Sequence, residues 1–286
     1  MSELVKRVLA ALVLVPIALA AGWFGDWALA ALLSIAAAVS CWEFFRIARA
    51  GGVIPFASVG VLLAAVIPLI VHAKYRGVFA LGIPSAMIAF LAIFAMSIWL
   101  RGPARRPLAA AAVTVFGVVY TGAMLSFAYG IRYHPYTIGA AGGATLLFFP
   151  LLLTWTTDTG AYFVGRSIGR RKLIPSVSPG KSVEGALGGL VLAIVVAWLF
   201  ERFVLIPVAR IAFAPGAVLL FGAVISVAAQ VGDLAESLLK REAGVKDSSR
   251  IIPGHGGVLD RLDSLLFVLP AAYWLLGVLR LVPVPG

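Results

Sequence analysis

The sequence predicts an all-α polytopic membrane protein with about nine transmembrane helices. Of its 286 residues, 62% are hydrophobic and only 12% are charged, and the mean hydropathy is +1.05. A soluble domain of this length does not need so large an apolar fraction to fill its core. A helix that crosses a bilayer needs roughly 20 apolar residues, because its backbone amides must be paired inside the segment.

Nine apolar runs follow one another along the chain, and each one predicts a helix. Runs of this length are typical of membrane spans, and their edges are accurate only to several residues. The runs cover residues 8–24, 27–45, 53–72, 78–100, 108–130, 138–157, 185–206, 212–236 and 264–282.

The first run has some features of a cleaved signal peptide. It follows Lys6 and Arg7 and contains Ala18-Leu19-Ala20, a small-residue pattern found at cleavage sites. A second apolar run follows almost at once, which is unusual for a cleaved leader. We therefore expect the first run to be retained as a transmembrane helix.

The distribution of basic residues predicts the orientation. The net charge is +11, and seventeen of the 23 Lys and Arg residues fall in segments that are inside if the N-terminus is cytoplasmic. Cytoplasmic loops of membrane proteins carry such an excess. The charge is thereby explained without a nucleic-acid partner. We expect a multi-pass protein of the cell (inner or plasma) membrane, with its N-terminus and active site on the cytoplasmic side.

Acidic residues divide the chain into two unequal parts. Nine of the twelve lie between Asp158 and Asp263. Residues 1–137 are therefore predicted to be an N-terminal transmembrane scaffold, and residues 138–286 a C-terminal transmembrane catalytic half.

Few polar residues of the N-terminal part stand out. Glu43 and Arg46 are three residues apart at a helix end, a spacing that favours an ion pair between them. His72 and His134 are expected at the protein surface near the outer interface. No cluster of groups able to do chemistry is predicted here.

Carboxylates at helix ends predict a site for a hard metal ion. Asp233 lies within an apolar run, where an acid is costly and is a candidate functional residue. Glu236 and Ser237 share its helix face, being three and four residues on. Asp260 and Asp263 repeat the three-residue spacing at the start of the last helix. Such oxygen ligands suit Mg²⁺, although acids at a helix start can also be simple caps.

Glycine-rich loops with nearby cations predict phosphate binding. The segment from Pro253 to Gly257 leads into a helix N-terminus, which favours anions. The segment from Ser178 to Ser182 could also hold phosphates, although it lacks Walker spacing and follows no evident strand. Together with the metal site, these loops indicate phosphoryl or nucleotidyl transfer. The residues alone name neither the nucleotide nor its acceptor.

At these positions the sequence closely resembles the phosphatidate cytidylyltransferase family, also called CDP-diacylglycerol synthases. Upstream family segments are matched by Asp158-x-Gly160-Ala161-Tyr162, by Ser178-Pro179-x-Lys181 and by Gly232-Asp233, while Ser182 stands where many members have Thr. The C-terminal signature is matched by Ser237, Lys240, Arg241, Lys246, Asp247, Pro253, His255, Gly256, Gly257, Asp260, Arg261 and Asp263.

The resemblance implies transfer of CMP from CTP to phosphatidate with Mg²⁺, and a second cation is possible. It also implies a homodimer in the lipid membrane. The implied metal ligands are Asp233, Asp260 and Asp263, which with Lys246 and Asp247 form the expected catalytic set. The expected substrate-binding residues are Asp158, Ser178, Lys181, Ser237, Lys240, Arg241, His255, Gly256, Gly257 and Arg261.

Two other functions remain open. A CTP-dependent enzyme acting on another lipid, such as an isoprenoid kinase or an ether-lipid cytidylyltransferase, would use a similar site. A transporter with acidic ion sites is disfavoured, because inverted repeats are not evident and the polar residues lie in one half. The spaced aspartates of a CDP-alcohol phosphotransferase are missing.

Overall fold

The fold is helical almost throughout. The computed structural model describes residues 3–137, 139–252, 254, 256–279 and 281–284. Each of the nine apolar runs lies largely within helix. The α-helices are α1 (Glu3–Phe24), α2 (Asp26–Ala50), α3 (Ala57–Tyr75), α4 (Ile83–Leu100), α5 (Pro107–Gly117), α6 (Met124–Arg132), α7 (Gly139–Ile168), α8 (Val183–Phe200), α9 (Ala217–Glu242) and α10 (Leu259–Val278).

Two of the long helices contain a wider turn. A π-helix over Val118–Ala123 joins α5 to α6, and a second one over Glu201–Ala209 continues α8. A short 3₁₀ turn, Pro103–Arg105, precedes α5. Because the π-helices continue the helical path, α5 with α6 and α8 with its extension each form one long segment.

The helices are long and apolar enough for a membrane protein. Within the described residues, eight helical segments could cross a bilayer by length and composition, and α1 contributes a shorter apolar stretch, Leu9–Phe24. The prediction of an all-α polytopic membrane protein is confirmed. The chain is a multi-pass membrane protein.

Two small antiparallel sheets interrupt the helices. Strand β1 (Lys172–Ile174) pairs with β2 (Ser178–Ser182) between α7 and α8. Strand β3 (Ile211–Phe213) pairs with β4 (Leu281–Pro283). The expectation that no strand precedes Ser178 is therefore wrong. The short β1–β2 pair has too few residues to show a period of two in the sequence.

Helix α7 is longer than its apolar run predicts. The run ends near residue 157, but the helix continues to Ile168, so that Asp158 is a helical residue. The hydroxyl groups of Thr157 and Thr159 donate to backbone carbonyls four residues earlier, so that their hydrogen bonds are made within the helix. A hydropathy criterion cannot detect a helix that continues beyond the apolar stretch.

The chain forms two compact units. The first comprises Met1–Ala21, Asp26–Tyr129 and Leu239–Leu262, and the second comprises Gly22–Gly25, Gly130–Leu238 and Asp263–Gly286. The segment that carries much of the C-terminal signature thus belongs to the same unit as the N-terminal helices. The functional division at residue 137 stays a prediction.

Phe45 is at the centre of the first unit. Its ring lies against Gly60 of α3 and Gly117 of α5, where an added Cβ would come within 2.5 Å of it. These glycines let three helices meet around one buried aromatic side chain. His72 is also buried here, 2% exposed, with Nδ1 2.7 Å from the Tyr129 hydroxyl, so its expected surface position is wrong.

Stacked phenylalanines form the core of the second unit. The ring of Phe149 on α7 lies 4.7 Å from that of Phe200 and 4.9 Å from that of Phe221. This stack joins α7, α8 and α9. His134 is buried beside Tyr273, contrary to expectation, and its burial lowers the pKa of the imidazole.

Arg132 is a buried cation with a structural role in the second unit. It is 3% exposed, and its guanidinium donates to the carbonyl oxygens of Gly22, at 2.8 Å, and Trp23, at 2.9 Å. These carbonyls belong to the last turn of α1, where backbone oxygens lack helical partners. Arginine is well suited to the task because its planar fork has several donors.

Replacement of Arg132 by Met should destabilise the protein. The variant keeps an apolar stem of similar length but leaves two carbonyls without donors, and hydrogen bonds to charged groups contribute about 1.5–3 kcal/mol each. We expect a lower melting temperature in detergent by scanning fluorimetry. Arg202→Gln, at an exposed arginine, is the control and should melt like the wild type. An unchanged melting temperature for Arg132→Met would contradict this role.

Candidate active site

A stripe of small residues brings α8 close to α7. The buried residues of α8 are Gly185, Gly189, Ala193 and Ala197, spaced four apart on one face. A Cβ on Gly189 would lie 2.6 Å from the Thr157 carbonyl oxygen. Because lipid supplies no hydrophobic drive between helices, close backbone contact through small residues is what joins them.

The same face of α8 receives α9. A Cβ on Gly222 of α9 would lie 2.8 Å from the Ala197 side chain. Two turns further on, the Gln230 side-chain amide donates to the Ala186 carbonyl oxygen, at 3.2 Å, and to the Ser226 hydroxyl, at 3.3 Å. Helices α7, α8 and α9 therefore meet around the N-terminal part of α8.

A cavity of about 510 Å³ lies where these three helices and the β1–β2 hairpin meet. A cavity of this size is within the range of small-molecule sites. Its wall combines charged and polar side chains with apolar ones. The lining residues are Asp158, Ala161, Tyr162, Gly165, Arg166, Leu173, Gly180, Lys181, Ser182, Gly185, Ala186, Gln230 and Asp233.

An ion pair lies in the wall of this cavity. The Lys181 ammonium is 2.7 Å from Asp233 Oδ2, and the two side chains are 27% and 35% exposed. The other oxygen of Asp233 accepts a 3.4 Å hydrogen bond from Ser237, one turn further along α9. Three residues predicted for the site are thus in contact. Because the pair is partly exposed, an anion entering the cavity can reach the ammonium.

The hairpin and the start of α8 hold Lys181 in place. The Ser182 hydroxyl caps α8 by accepting from the Gly185 amide at 3.1 Å. The Glu184 carboxylate accepts from the backbone amides of Arg170, at 3.0 Å, and Arg171, at 3.2 Å. These contacts tie both ends of the hairpin to one helix N-terminus.

Asp260 organises the loop between α9 and α10 in the first unit. Lys240 donates to its Oδ1 at 2.7 Å, and the pair is only 13% and 6% exposed. Its Oδ2 accepts from the Ser248 amide at 3.1 Å, the Ser248 hydroxyl at 2.9 Å and the Gly257 amide at 2.8 Å. The carboxylate is therefore surrounded by donors at the start of α10, as in a helix cap.

Glu43 of α2 was not predicted as a site residue. It is fully buried and accepts hydrogen bonds from the same loop and from the first amides of α10. The predicted ion pair with Arg46 is wrong, since that guanidinium lies 5.0 Å from the Trp42 ring centroid. No local sequence signal could have found these contacts, because the partners of Glu43 are more than 200 residues away in sequence.

The predicted glycine loop receives a protein carboxylate. Gly254 and Gly256 have φ angles of 75° and 81°, which favour glycine. The amides of Val258, which directly precedes α10, and of Leu259, its first residue, donate to Glu43. A glutamate therefore occupies the position at which the sequence suggested a phosphate. His255, expected in this loop, lies outside the described residues.

The remaining predicted residues are at the surface or at its edge. Asp263 accepts from the adjacent Ser264 amide, and Gly256 packs beside Asp260, where a Cβ would lie 2.7 Å from a carboxylate oxygen. Ser178 is half-buried on β2. The exposed members of the predicted set are Asp158, Arg241, Lys246, Asp247 and Arg261.

The carboxylates of the predicted site provide the oxygen ligands that a hard metal ion prefers. Asp158 and Asp233 line one cavity and offer oxygen atoms, and Asp233 and Asp260 each hold an ammonium 2.7 Å away, where a cation would bind. Over the part of the chain that is described, no group of three or more His, Cys, Asp or Glu residues could hold a metal. Mg²⁺ requires fewer than three protein ligands, because phosphate oxygens and water complete its coordination shell.

Comparison with known proteins identifies similar sequences. A family described as the cytidylyltransferase family matches residues 5–279. Proteins named phosphatidate cytidylyltransferase are similar to this chain: one from Bacillus subtilis is 51% identical over 134 residues, 47% of this chain and 48% of that protein. One from Haemophilus influenzae is 48% identical over 140 residues, which are 49% of this chain and 48% of that protein. One from Staphylococcus saprophyticus is 41% identical over 160 residues, which are 56% of each chain. The chain spans about half the length of the first two relatives.

Two glycine-to-alanine variants should separate helix packing from helix propensity. Gly189→Ala places a methyl group against a backbone carbonyl of α7, and such overpacking costs about 1–3 kcal/mol. Gly277→Ala, in an open position of α10, gains helix propensity. We expect a lower melting temperature for the first variant and an equal or higher one for the second. Equal melting temperatures for both variants would contradict the packing described for α7 and α8.

Proposed function

This chain belongs to the cytidylyltransferase family, and from that premise we propose that it transfers CMP from CTP to phosphatidate. The products would be CDP-diacylglycerol and pyrophosphate. The observation that carries the proposal is the cavity in a membrane-spanning bundle whose wall holds Lys181 and Asp233. The names of the relatives from Bacillus subtilis and Haemophilus influenzae support the choice of acceptor.

The reaction places few demands on acid–base chemistry. An oxygen of the phosphatidate phosphate attacks the α-phosphorus of CTP, the new P–O bond forms, and the bond to pyrophosphate breaks. A phosphate monoester is already anionic at neutral pH, so no strong base is needed. The protein must instead hold two polyanions together in line, which is a matter of positioning and charge neutralisation.

Lys181 is the side chain best placed to neutralise phosphate charge in the cavity. Its ammonium is partly exposed and is oriented by Asp233. Arg166 lines the same cavity, and its guanidinium donates to the Tyr162 hydroxyl at 2.7 Å. An arginine presents a planar fork to phosphate oxygens. We assign Lys181 and Arg166 to phosphate contacts.

The α9–α10 loop of the first unit carries a second group of cations. Lys246 and Arg250 are exposed side chains of this loop, and Arg261 is exposed in the first turn of α10. Lys240 is held by Asp260 in a mostly buried ion pair. We assign Lys246 and Arg261 to pyrophosphate contacts, and Lys240 to fixing Asp260.

Mg²⁺ is part of the proposal. Asp233 in the second unit and Asp260 in the first are each proposed as metal ligands, with Asp263 as a further ligand and a second cation possible. When bound, the metal would neutralise charge on the phosphates during transfer. Asp233 and Asp260 each pair with an ammonium group, which supports a cation at both carboxylates. Lys181, which is partly exposed, can then turn to the substrate phosphates.

The setting of the enzyme is proposed as well. The positive-inside distribution of Lys and Arg supports an active site on the cytoplasmic face of the cell membrane. A homodimer is proposed from family membership. Mass photometry of the detergent-solubilised protein would measure the assembly, and a single-subunit mass would reject the dimer.

We expect the purified protein to form CDP-diacylglycerol from labelled CTP and phosphatidate, with release of pyrophosphate. Chelation of Mg²⁺ should stop the reaction, and added Mg²⁺ should restore it. The assay follows the label from CTP into the lipid phase. Consumption of CTP with isoprenoid alcohols or ether lipids, but not with phosphatidate, would reject the proposed acceptor.

Neutralising the proposed metal ligands should abolish turnover without loss of the protein from the membrane. Asp233→Asn and Asp260→Asn each remove a negative charge while leaving the helices no less apolar. We expect a fall in kcat/KM of at least about 100-fold, the size typical of lost electrostatic stabilisation. Glu242→Gln, at an exposed residue ending α9, is the control. Near wild-type activity of both aspartate variants would overturn the metal assignment.

A further inference from the structure

The first unit contains a buried carboxylate that the proposed chemistry does not use. Glu43 of α2 is 0% exposed. An isolated ionised carboxylate is very costly in an apolar interior unless several donors surround it. The side chain therefore has either a strong structural partner or a functional reason to be there.

Four donors surround this carboxylate, and all four come from the α9–α10 loop and the start of α10. The backbone amide of Val258 donates to Oε1 at 3.1 Å, and that of Leu259 donates to Oε2 at 2.6 Å. The hydroxyl of Ser249 donates to Oε1. The hydroxyl of Ser248 lies 3.1 Å from Oε2, and it shares its one proton between Glu43 and Asp260.

These contacts fix both ends of one loop. Ser248 and Ser249 follow the Lys246-Asp247 pair directly, and Leu259 immediately precedes Asp260. The amides at the start of α10 have no helical acceptors, and the helix dipole favours an anion there. Glu43 supplies that anion from a different helix.

Ser248 links Glu43 to Asp260. Its hydroxyl lies 3.1 Å from Glu43 Oε2 and 2.9 Å from Asp260 Oδ2, and its amide also donates to Asp260. A change at Glu43 therefore reaches Asp260 through one intervening residue.

The glycine pair of this loop leaves room for the two carboxylates and for Ser248. A Cβ on Gly257 would lie 2.0 Å from Ser248 Oγ and 2.5 Å from Glu43 Oε1, and a Cβ on Gly256 would lie 2.7 Å from Asp260 Oδ2. Approaches below 3.0 Å require the neighbour to move. At Gly257 the small residue serves the close approach of Glu43, and no positive φ is required there.

We propose that Glu43 is a positioning residue for nucleotidyl transfer. It clamps the α9–α10 loop, holding Lys246 and Asp247 at one end and Asp260 at the other, and it does not touch substrate. This role rests on the proposed function. The clamp itself is a property of the fold that can be measured without any substrate.

The test compares two glutamates that both accept backbone amides. Glu43→Gln keeps the side-chain size but turns an NH₂ group towards donors. Glu201→Gln is the matched control, because Glu201 accepts from the Phe213 amide at 2.6 Å and has no place in the proposed chemistry. Both variants should melt at a lower temperature than the wild type.

Activity and amide exchange are then measured at a temperature where each variant is folded. We expect kcat/KM of Glu43→Gln to fall about 10- to 100-fold, the effect of a small misplacement of reacting groups, and that of Glu201→Gln to stay within about twofold. Hydrogen–deuterium exchange of peptides spanning residues 246–259 should rise only in Glu43→Gln. Unchanged exchange there would overturn the clamp. Raised exchange with wild-type kcat/KM would overturn the positioning role.

A milder variant and the activity of the wild type provide two further tests. If Glu43→Gln does not fold, Ser249→Ala removes a single donor and should produce the same changes to a smaller extent; wild-type exchange and kcat/KM in that variant would overturn the proposal. If the wild type forms no CDP-diacylglycerol, the proposed function fails, and the role in that reaction fails with it. Amide exchange still decides whether Glu43 clamps the loop.

Discussion

The close packing of α8 against its neighbours is the constraint on which the candidate site depends. Helices in lipid gain nothing by hiding apolar surface from one another, so their association relies on van der Waals contact and a few hydrogen bonds. Gly185 and Gly189 let α7 approach, and Ala197 lets Gly222 of α9 approach. Larger residues at these positions would push the helices apart.

Several charged groups near the candidate site and in the first unit are held by specific partners. Lys181 pairs with Asp233, and Lys240 pairs with Asp260. Glu43 accepts from two backbone amides and the Ser249 hydroxyl, and it shares the Ser248 hydroxyl with Asp260. A charge in a low-dielectric interior is tolerated only with such compensation. The partners at once stabilise the charges and fix their positions, so the same contacts that make the fold possible also arrange the polar groups needed for phosphate chemistry.

Features set by neighbouring residues were predicted from the sequence. Apolar runs located the helices, and the signature from Ser237 to Asp263 indicated the family and most of the polar residues of interest. Contacts between distant segments were not predicted. The ion pair expected for Glu43 followed from its nearest charged neighbour, whereas its partners are Ser248 and residues beyond it. The β1–β2 hairpin was missed because its strands are too short to show a period.

The sequence by itself determined the membrane class, the positions of the apolar helices and the family, because hydropathy and motif spacing are properties of contiguous residues. Only the tertiary structure decided which donors each carboxylate receives, since buried polar groups take partners from any segment that packing brings near. It therefore placed Lys181 beside Asp233 and Ser248 between Glu43 and Asp260. The physical reason is that hydropathy decides which segments become membrane helices, whereas the need of buried polar groups for hydrogen-bond partners decides which segments contact one another in detail.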